Sequence, residues 1–450
     1  MPFDAGKPLS GDGLLKIAVI GSGISGLSSA WLLSSKHHVT LYEAAHRLGG
    51  HTNTVHVPVA GALVPIDAGF IVYNEPNYPN LTAIFDHLGV PTEESCMSFA
   101  ASMRGGEVEY SGQSLSSVFA NRSNIVSPSF WWMLADIVRF HRLAKKRLKT
   151  GLSDDTSLRD FIVAENFSDA FARDFLEPIA AAIWSTPSSD ILDYPAGSFF
   201  RFFDNHGLLQ VLNMPVWRTV TGGASEYVEK LSTPFLENAR LGYGVTNVKR
   251  DAGKVIVTDE TGGVDRFDQV VIATHADAAL RMLENPSEHE RDILGVFRYQ
   301  SNRAIVHFDN SQMPKKRRAW ASWNYLGADG GASVSYWMNR LQNLDCEKDI
   351  FVTLNPLIPV RDEDIVAEFD YEHPMFNITA GRAQKELWSL QGRRGVWFCG
   401  AHFGQGFHED GLQSGLAVAE ALGGVRRPWK VTNESGRIHL PQSRPALAAE

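Results

Sequence analysis

Short unbroken apolar runs alternate along the chain with longer segments whose apolar residues recur at helical spacing. Lys16-Ile-Ala-Val-Ile20 is apolar at every position after the lysine, the pattern of a strand buried on both faces. Comparable runs at His38–Tyr42, Asp268–Thr274 and Gly395–Cys399 predict further buried strands, and Leu27–Ser34 and Leu416–Leu422 predict helices. Trp217–Gly223 reads as a strand and turn before a helix at Tyr227–Leu231, and Gly244–Val248 with Lys254–Thr258 as a hairpin. The stretch from about residue 80 to 204 reads mainly as helices around a Met103–Tyr110 hairpin. The stretch from about 286 to 389 is β-rich, with strand candidates Arg303–Phe308, Ala332–Trp337 and Ile350–Leu354.

One junction carries chemistry. The first strand runs directly into Gly21-Ser-Gly23-Ile-Ser25-Gly26 and a helix. In such a turn Gly21 permits the tight bend, Gly23 lets the backbone approach a pyrophosphate, and Gly26 lets helix pack closely on strand. The anion would sit on the helix N-terminus, where free N–H groups and the dipole favour it. The second strand ends in Glu43, an acid placed to accept hydrogen bonds from ribose hydroxyls. Strand, glycines, helix, strand and acid in this order predict dinucleotide binding, of FAD or NAD rather than NADP.

Composition narrows the rest. Against 42 Lys and Arg stand 51 Asp and Glu, a net charge of -9, which argues against a general nucleic-acid binder. Cys96, Cys346 and Cys399 are far apart, with no zinc-finger or disulfide spacing. Glycines interrupt the uncharged Ile17–Ser35 stretch, which is therefore no signal sequence, and no other run approaches the ~20 apolar residues of a membrane span. A cytoplasmic, soluble chain is expected, without a metal site. No second strand-linked glycine motif follows, so oxygen, a quinone or a partner protein is the expected electron acceptor rather than a nicotinamide held in its own domain.

After Glu43, Arg47-Leu-Gly49-Gly50-His51 resembles the R-x-G-G segment of FAD enzymes of the amine oxidase and protoporphyrinogen oxidase type. Family members commonly carry Arg or Lys where His51 stands. Asp67-Ala-Gly69-Phe70 is similar to the family's D-x-G segment, and Trp217–Gly223 to its P-x-G-G turn. Gly400, the following loop, and Glu409-Asp410-Gly411-Leu412 before a helix resemble its C-terminal FAD motif, with Ala401 in place of a frequent acid. The resemblance implies non-covalent FAD on Gly21, Gly23, Ser25, Gly26, Glu43, Arg47, Gly49, Gly50, Val245, Gly400, Gly411 and Leu412. It implies an α/β fold: a Rossmann-like FAD-binding domain of glutathione-reductase type, interleaved with an α+β substrate domain of amine oxidase type. The expected division is 14–80, 205–285 and 390–424 for the FAD domain, 81–204 and 286–389 for the substrate domain, and a loose tail at 425–450.

By the same resemblance Phe407 is an aromatic wall of the substrate cage. His408 is a candidate general base or proton donor, since its reference pKa of ~6.5 lies near neutrality, the alternative being a hydrogen bond that orders the loop. His402 and His206 are weaker candidates. The lysine that holds a water near the flavin in many amine oxidases has no clear counterpart; Gln312–Trp323 offers only Lys315 and Lys316. Trp320, Trp323, Tyr325, Tyr336 and Trp337 either line an apolar pocket or fill a strand core.

Three phrases, Phe203–Leu209, Tyr336–Gln342 and Gly406–Gly411, resemble a bacterial subgroup of flavoproteins associated with cyclopropane-fatty-acid synthases, and the flavin domain fused to the plant synthases. This implies an oxidoreductase acting on a lipid or fatty-acyl substrate. The alternatives are a double-bond isomerase, an amine oxidase, or a flavin-binding accessory partner of a cyclopropane-synthase-like methyltransferase. Finally, Pro128–Lys149 predicts an aromatic, basic amphipathic helix, either a peripheral membrane contact or a helix packed on the core with a solvated basic end.

Overall fold

The structure is a computed structural model, described for residues 13–151, 156–184, 192–210, 215–328 and 331–441. The predicted apolar runs form a five-stranded parallel sheet in the spatial order Ala239–Leu241, His38–Glu43, Lys16–Ile20, Gln269–Ile272, Val396–Phe398. Lys16–Ile20 is central, and its side chains alternate between two cores. Ile17 and Val19 face Leu27, Leu412 and Leu416 of the helices Ile24–Ser34 and His408–Gly423. Ala18 and Ile20 face Val255, Val257 and Phe267 of a three-stranded antiparallel sheet, 245–251, 254–259 and 264–267. Burial on both sides is why this strand reads as a continuous apolar run.

A second sheet has seven strands, in the order Ile365–Met375, Arg298–His307, Phe351–Leu354, Gly331–Trp337, Trp323–Ala328, Phe99–Met103, Val108–Ser111. Only the pair 323–328 with 99–103 is parallel. The helices Pro128–Thr150, Leu158–Ala164, Glu177–Trp184 and Ala196–Asn205 accompany it, and Phe140, Phe161, Phe171, Phe199, Phe200 and Phe203 pack together among them. A small sheet of 72–74, 217–220 and 92–95 joins segments expected in different domains.

Several expectations change. The last helix begins at His408, eight residues before Leu416, so Glu409–Gly411 form its first turn rather than a loop. The Phe407 N–H donates to Asp410 Oδ2 (2.8 Å), which starts the helix there. The first helix likewise begins inside the glycine motif, at Ile24. The eleven-residue strand Ile365–Met375 was not expected, because Glu368, Asp370 and Glu372 charge one of its faces and Pro374 interrupts it. It is a sheet edge, where charge and proline are tolerated.

The tail beyond Gly424 is not loose as far as 441. Arg427 is buried and makes paired hydrogen bonds to Glu420 (2.8 and 3.0 Å), Trp429 stacks on Trp31 at 5.8 Å, and Arg437 reaches Asp410. Pro445 lies outside the described residues.

Candidate active site

The glycine turn opens the site. Gly21 has φ +97°, and a Cβ there would lie 3.0 Å from the Ala273 carbonyl oxygen. A Cβ on Gly26 would come within 1.9 Å of the Gly21 carbonyl oxygen, so only glycine allows the helix to leave the strand at this distance. At Gly23 a Cβ would meet nothing within 4 Å, so the first helical turn faces open space. The Gly49-Gly50 pair closes over this turn. Gly49 N–H donates to the Ser22 carbonyl at 3.1 Å, and a Cβ on Gly50 would lie 2.9 Å from Gly23 Cα. Arg47 holds the loop in shape by donating to the carbonyls of Gly50 (2.9 Å) and Thr52 (3.0 Å). Its position is therefore that of a loop brace beside the glycines.

Glu43 takes hydrogen bonds from Ser22 N–H (2.8 Å), Ser22 Oγ (2.6 Å) and Ala45 N–H (2.9 Å). A carboxylate can accept about four, so capacity remains for a ligand hydroxyl. Tyr243 N–H donates to the Glu43 carbonyl, which carries the half-buried Val245 past the same strand end. Ser25 lies in the first turn of the helix, buried beside Gly26. Burial pushes the Cys399 thiol up to about 12, so Cys399 is not a reactive anchor.

A second helix N-terminus meets the first. A Cβ on Gly411 would lie 2.8 Å from Ile24 Cγ2, and one on Gly415 only 2.2 Å from the Ser25 carbonyl oxygen. Ser414 Oγ ties this helix to Gly400 N–H (3.0 Å), and Leu412 anchors it in the core. These residues fit a dinucleotide: two converging helix starts for anionic groups, glycines that leave room, and an acid at the second strand's end.

Phe407 and His408 stand at the start of that helix. Phe407 stacks on Phe202 at 4.8 Å and lies 5.8 Å from His206. His408 Nε2 is hydrogen-bonded to Thr52 Oγ1 (3.0 Å) and to the Tyr227 hydroxyl (2.9 Å), which also bond each other, and its ring stacks on Phe70 at 3.8 Å. Burial pulls its pKa down to about 3. An imidazole so held is a weak base, which supports the loop-ordering alternative. His206 Nδ1 bonds the Phe202 carbonyl and His402 packs edge-on to Phe297; burial lowers both to about 3. Neither is poised for proton transfer near neutrality.

Side chains that the sequence reading did not assign complete the wall. His51 lies 5.3 Å from His373, 6.0 Å from His275 and 5.2 Å from Tyr371, ring centre to ring centre. Burial lowers the pKa of all three histidines, that of His373 to about 4. Tyr371 and His373 come from the unexpected edge strand. His275 follows the 269–272 strand at its C-terminal end, where ligands of parallel sheets bind; that position was a usable signal. Thr52 and Tyr227, the partners of His408, are brought in from distant segments.

The carboxylates nearby are committed. Asp67 accepts from Thr54 Oγ1 (2.6 Å), Ala224 N–H (2.9 Å) and Gln342 Nε2 (3.1 Å), and burial raises its pKa to about 7. Glu409 accepts from Asn80 Nδ2 (2.8 Å) and Leu81 N–H (3.0 Å), and Asp410 pairs with Arg437 at 2.8 Å. Of the five sheet aromatics, Trp323, Tyr325 and Tyr336 face one core, whereas Trp320 and Trp337 pack with Met313 and Phe351 elsewhere. Lys315 and Lys316 are exposed at the sheet's far edge, their N–H groups on Glu109. Among the described residues no group of three or more His, Cys, Asp or Glu has metal-holding geometry.

A parallel sheet, a glycine cradle and a second helix start beside it define a dinucleotide-binding protein. The model of the flavin-containing amine oxidoreductase family matches residues 24–423, and the chain belongs to that family. It is an FAD-dependent oxidoreductase. No curated protein matches in sequence. The fold resembles cyclohexylamine oxidase from Brevibacterium oxydans IH-35A (TM-score 0.67, 15% identity, 92% of this chain and 99% of that one). It also resembles putrescine oxidase (0.65, 16%, 91% and 99%) and a fatty acid isomerase of P. acnes that produces CLA (0.63, 15%, 89% and 97%). At these identities the likeness concerns the fold. No helix among the described residues is long and apolar enough to cross a membrane.

Proposed function

We propose that the protein oxidises a carbon–hydrogen bond of an apolar, uncharged substrate segment, of the lipid acyl class, using FAD. The observation that carries this reading is the character of the wall around Phe407 and His408. Phe70, Phe202, Phe407 and Tyr371 supply rings, the histidines among them are held neutral, and Asp67, Glu409 and Asp410 are engaged elsewhere. Among the described residues Asp67, Glu409 and Asp410 offer an ammonium no free carboxylate and Glu372 is shared with His275, whereas a hydrocarbon segment gains on leaving water for such a wall. The resemblance of three sequence phrases to flavoproteins associated with cyclopropane-fatty-acid synthases supports the same substrate class.

Bound FAD supplies the hydride acceptor. The Gly21–Gly26 turn would hold its diphosphate and Glu43 its ribose, and the start of the 408–423 helix would offer N–H groups and a positive dipole end to negative charge on it. Phe407, stacked on Phe202, orients the apolar segment and excludes water. His408, held by Thr52 and Tyr227, keeps the helix start in place.

A second reading is double-bond isomerisation in an unsaturated acyl chain without net oxidation, because a fatty acid isomerase shares this fold. Mass spectrometry of acyl lipids after aerobic turnover separates the two. Loss of two hydrogens supports oxidation, unchanged mass with a moved double bond supports isomerisation, and turnover of amines alone overturns both.

A further inference from the structure

The helix Pro128–Thr150 is anchored by one face and leaves the other uncovered. Phe130, Met133, Asp136, Phe140 and Ala144 are buried. On the opposite side Trp131, Trp132 and Val138 are exposed in the first half, and Arg142, Lys146 and Lys149 in the second. Of the large apolar side chains that remain exposed, five fall within residues 115–132: Leu115 (81%), Ile125, Val126 (81%), Trp131 (51%) and Trp132 (67%). They form one ridge. Trp131 Nε1 donates to the Ile125 carbonyl at 2.9 Å, and Phe119, next to the 115–118 helix, packs on the Trp131 ring at 5.5 Å.

Cations flank the ridge at both ends. Arg142, Lys145, Lys146 and Lys149 make no ion pair among the described residues; Arg139 pairs with Asp136 and Arg147 with Glu165. At the other end Arg318 donates to the Ala120 carbonyl (2.9 Å), which brings exposed Lys315 and Lys316 beside the 115–118 helix. This concentration stands on a chain whose net charge is -9, so it offers an anionic plane a local attraction that the whole molecule does not. Trp132 has no hydrogen-bond partner among the described residues, leaving its indole N–H for a polar boundary.

From this order of apolar rings and then cations along one helix face, we propose that residues 115–149 dock on an anionic phospholipid bilayer. The tryptophans and the 115–126 ridge enter the headgroup boundary, and the lysines and arginines meet lipid phosphates. An acidic protein partner would satisfy the cations but leave two adjacent tryptophans against a charged surface. The inference is independent of the substrate reading, since it rests on the outer surface alone.

The test is flotation of the FAD-loaded full chain with vesicles of phosphatidylcholine alone, or with about one-third phosphatidylglycerol. Binding is expected to the anionic vesicles and to weaken with salt. Each cation near an anionic surface is worth about fivefold in partitioning, so R142E with K146E should lower binding by at least about 25-fold. Trp131→Ser with Trp132→Ser should lower it by more than about tenfold. All four positions are exposed, so the flavin spectrum should not change, and circular dichroism checks that the tryptophan variant, which loses the Trp131–Ile125 hydrogen bond, stays folded at the assay temperature. The proposal is overturned if the chain does not float, if the variants float like the parent, or if the tryptophan variant instead converts a dimer to a monomer.

Discussion

Replacing Arg437 by Met tests whether the C-terminal segment clamps the flavin-side helix. Arg437 Nε lies 2.8 Å from Asp410 Oδ1, its Nη1 donates to the Asn77 carbonyl (2.9 Å), and its guanidinium lies over Tyr78. Asp410 is fully buried, whereas the Arg437 side chain is 16% exposed. Methionine keeps much of the stem's packing and leaves Asp410 without its cation. Removing one partner of a buried pair costs about 3–5 kcal/mol, and the partial exposure places this case near about 3. With 450 residues and an unfolding entropy near 2.1 cal/mol/K per residue, that corresponds to a thermal midpoint about 3 °C lower. The pH dependence has a definite sign. Burial raises the Asp410 pKa and Arg437 opposes the rise, so without Arg437 the carboxyl binds its proton more tightly in the folded state. An acid whose folded pKa is raised loses stability as pH rises. The deficit of R437M should therefore be largest near pH 8 and shrink toward pH 5, and Asp410→Asn in the same background should recover part of it. Calorimetry of the holoenzyme across that range is the assay. An unchanged midpoint at pH 8, or a deficit that grows on acidification, would refute the reasoning.

Other outcomes follow from the same contacts. Gly415→Ala places a methyl about 1 Å inside ordinary contact with the Ser25 carbonyl; we expect the two helix starts to separate, costing about 1–3 kcal/mol, with weaker FAD retention on gel filtration. Parental FAD retention would count against the cradle described. Glu43→Ala removes a charged acceptor at the ribose position and should raise the FAD dissociation constant by about 10- to 100-fold, read by fluorescence titration; an unchanged constant places the ribose elsewhere. His206 is buried with a pKa near 3, against about 6.5 when unfolded. A histidine lowered in this way is neutral at no cost above its unfolded value and destabilises the fold as pH falls below it. Relative to the parent, His206→Leu should therefore gain about 2 kcal/mol between pH 7 and pH 5 in urea unfolding. Parallel stability profiles for the two proteins would contradict that.

How much of this was readable depends on the range of the interactions. The glycine cradle was legible because turn, close approach and anion site lie within a few residues of Gly21, and the buried strands because both faces are apolar. The start of the last helix was not. Glu409 and Asp410 look like loop acids until Asn80, Leu81 and Arg437 are seen to bond them from distant segments. The same holds for Tyr371 and His373, which an acidic, proline-containing edge strand carries into the site. His408 was identified as a candidate base or loop-ordering side chain, and the bonds to Thr52 and Tyr227 that favour the second role depend on tertiary packing.

The substrate claim is tested most directly by anaerobic spectrophotometric titration of the purified holoenzyme. Acyl lipids and, separately, primary amines are added while the flavin absorbance is followed. The account predicts lasting bleaching by an acyl lipid and none by amines. Bleaching by amines with no response to any acyl lipid would contradict it.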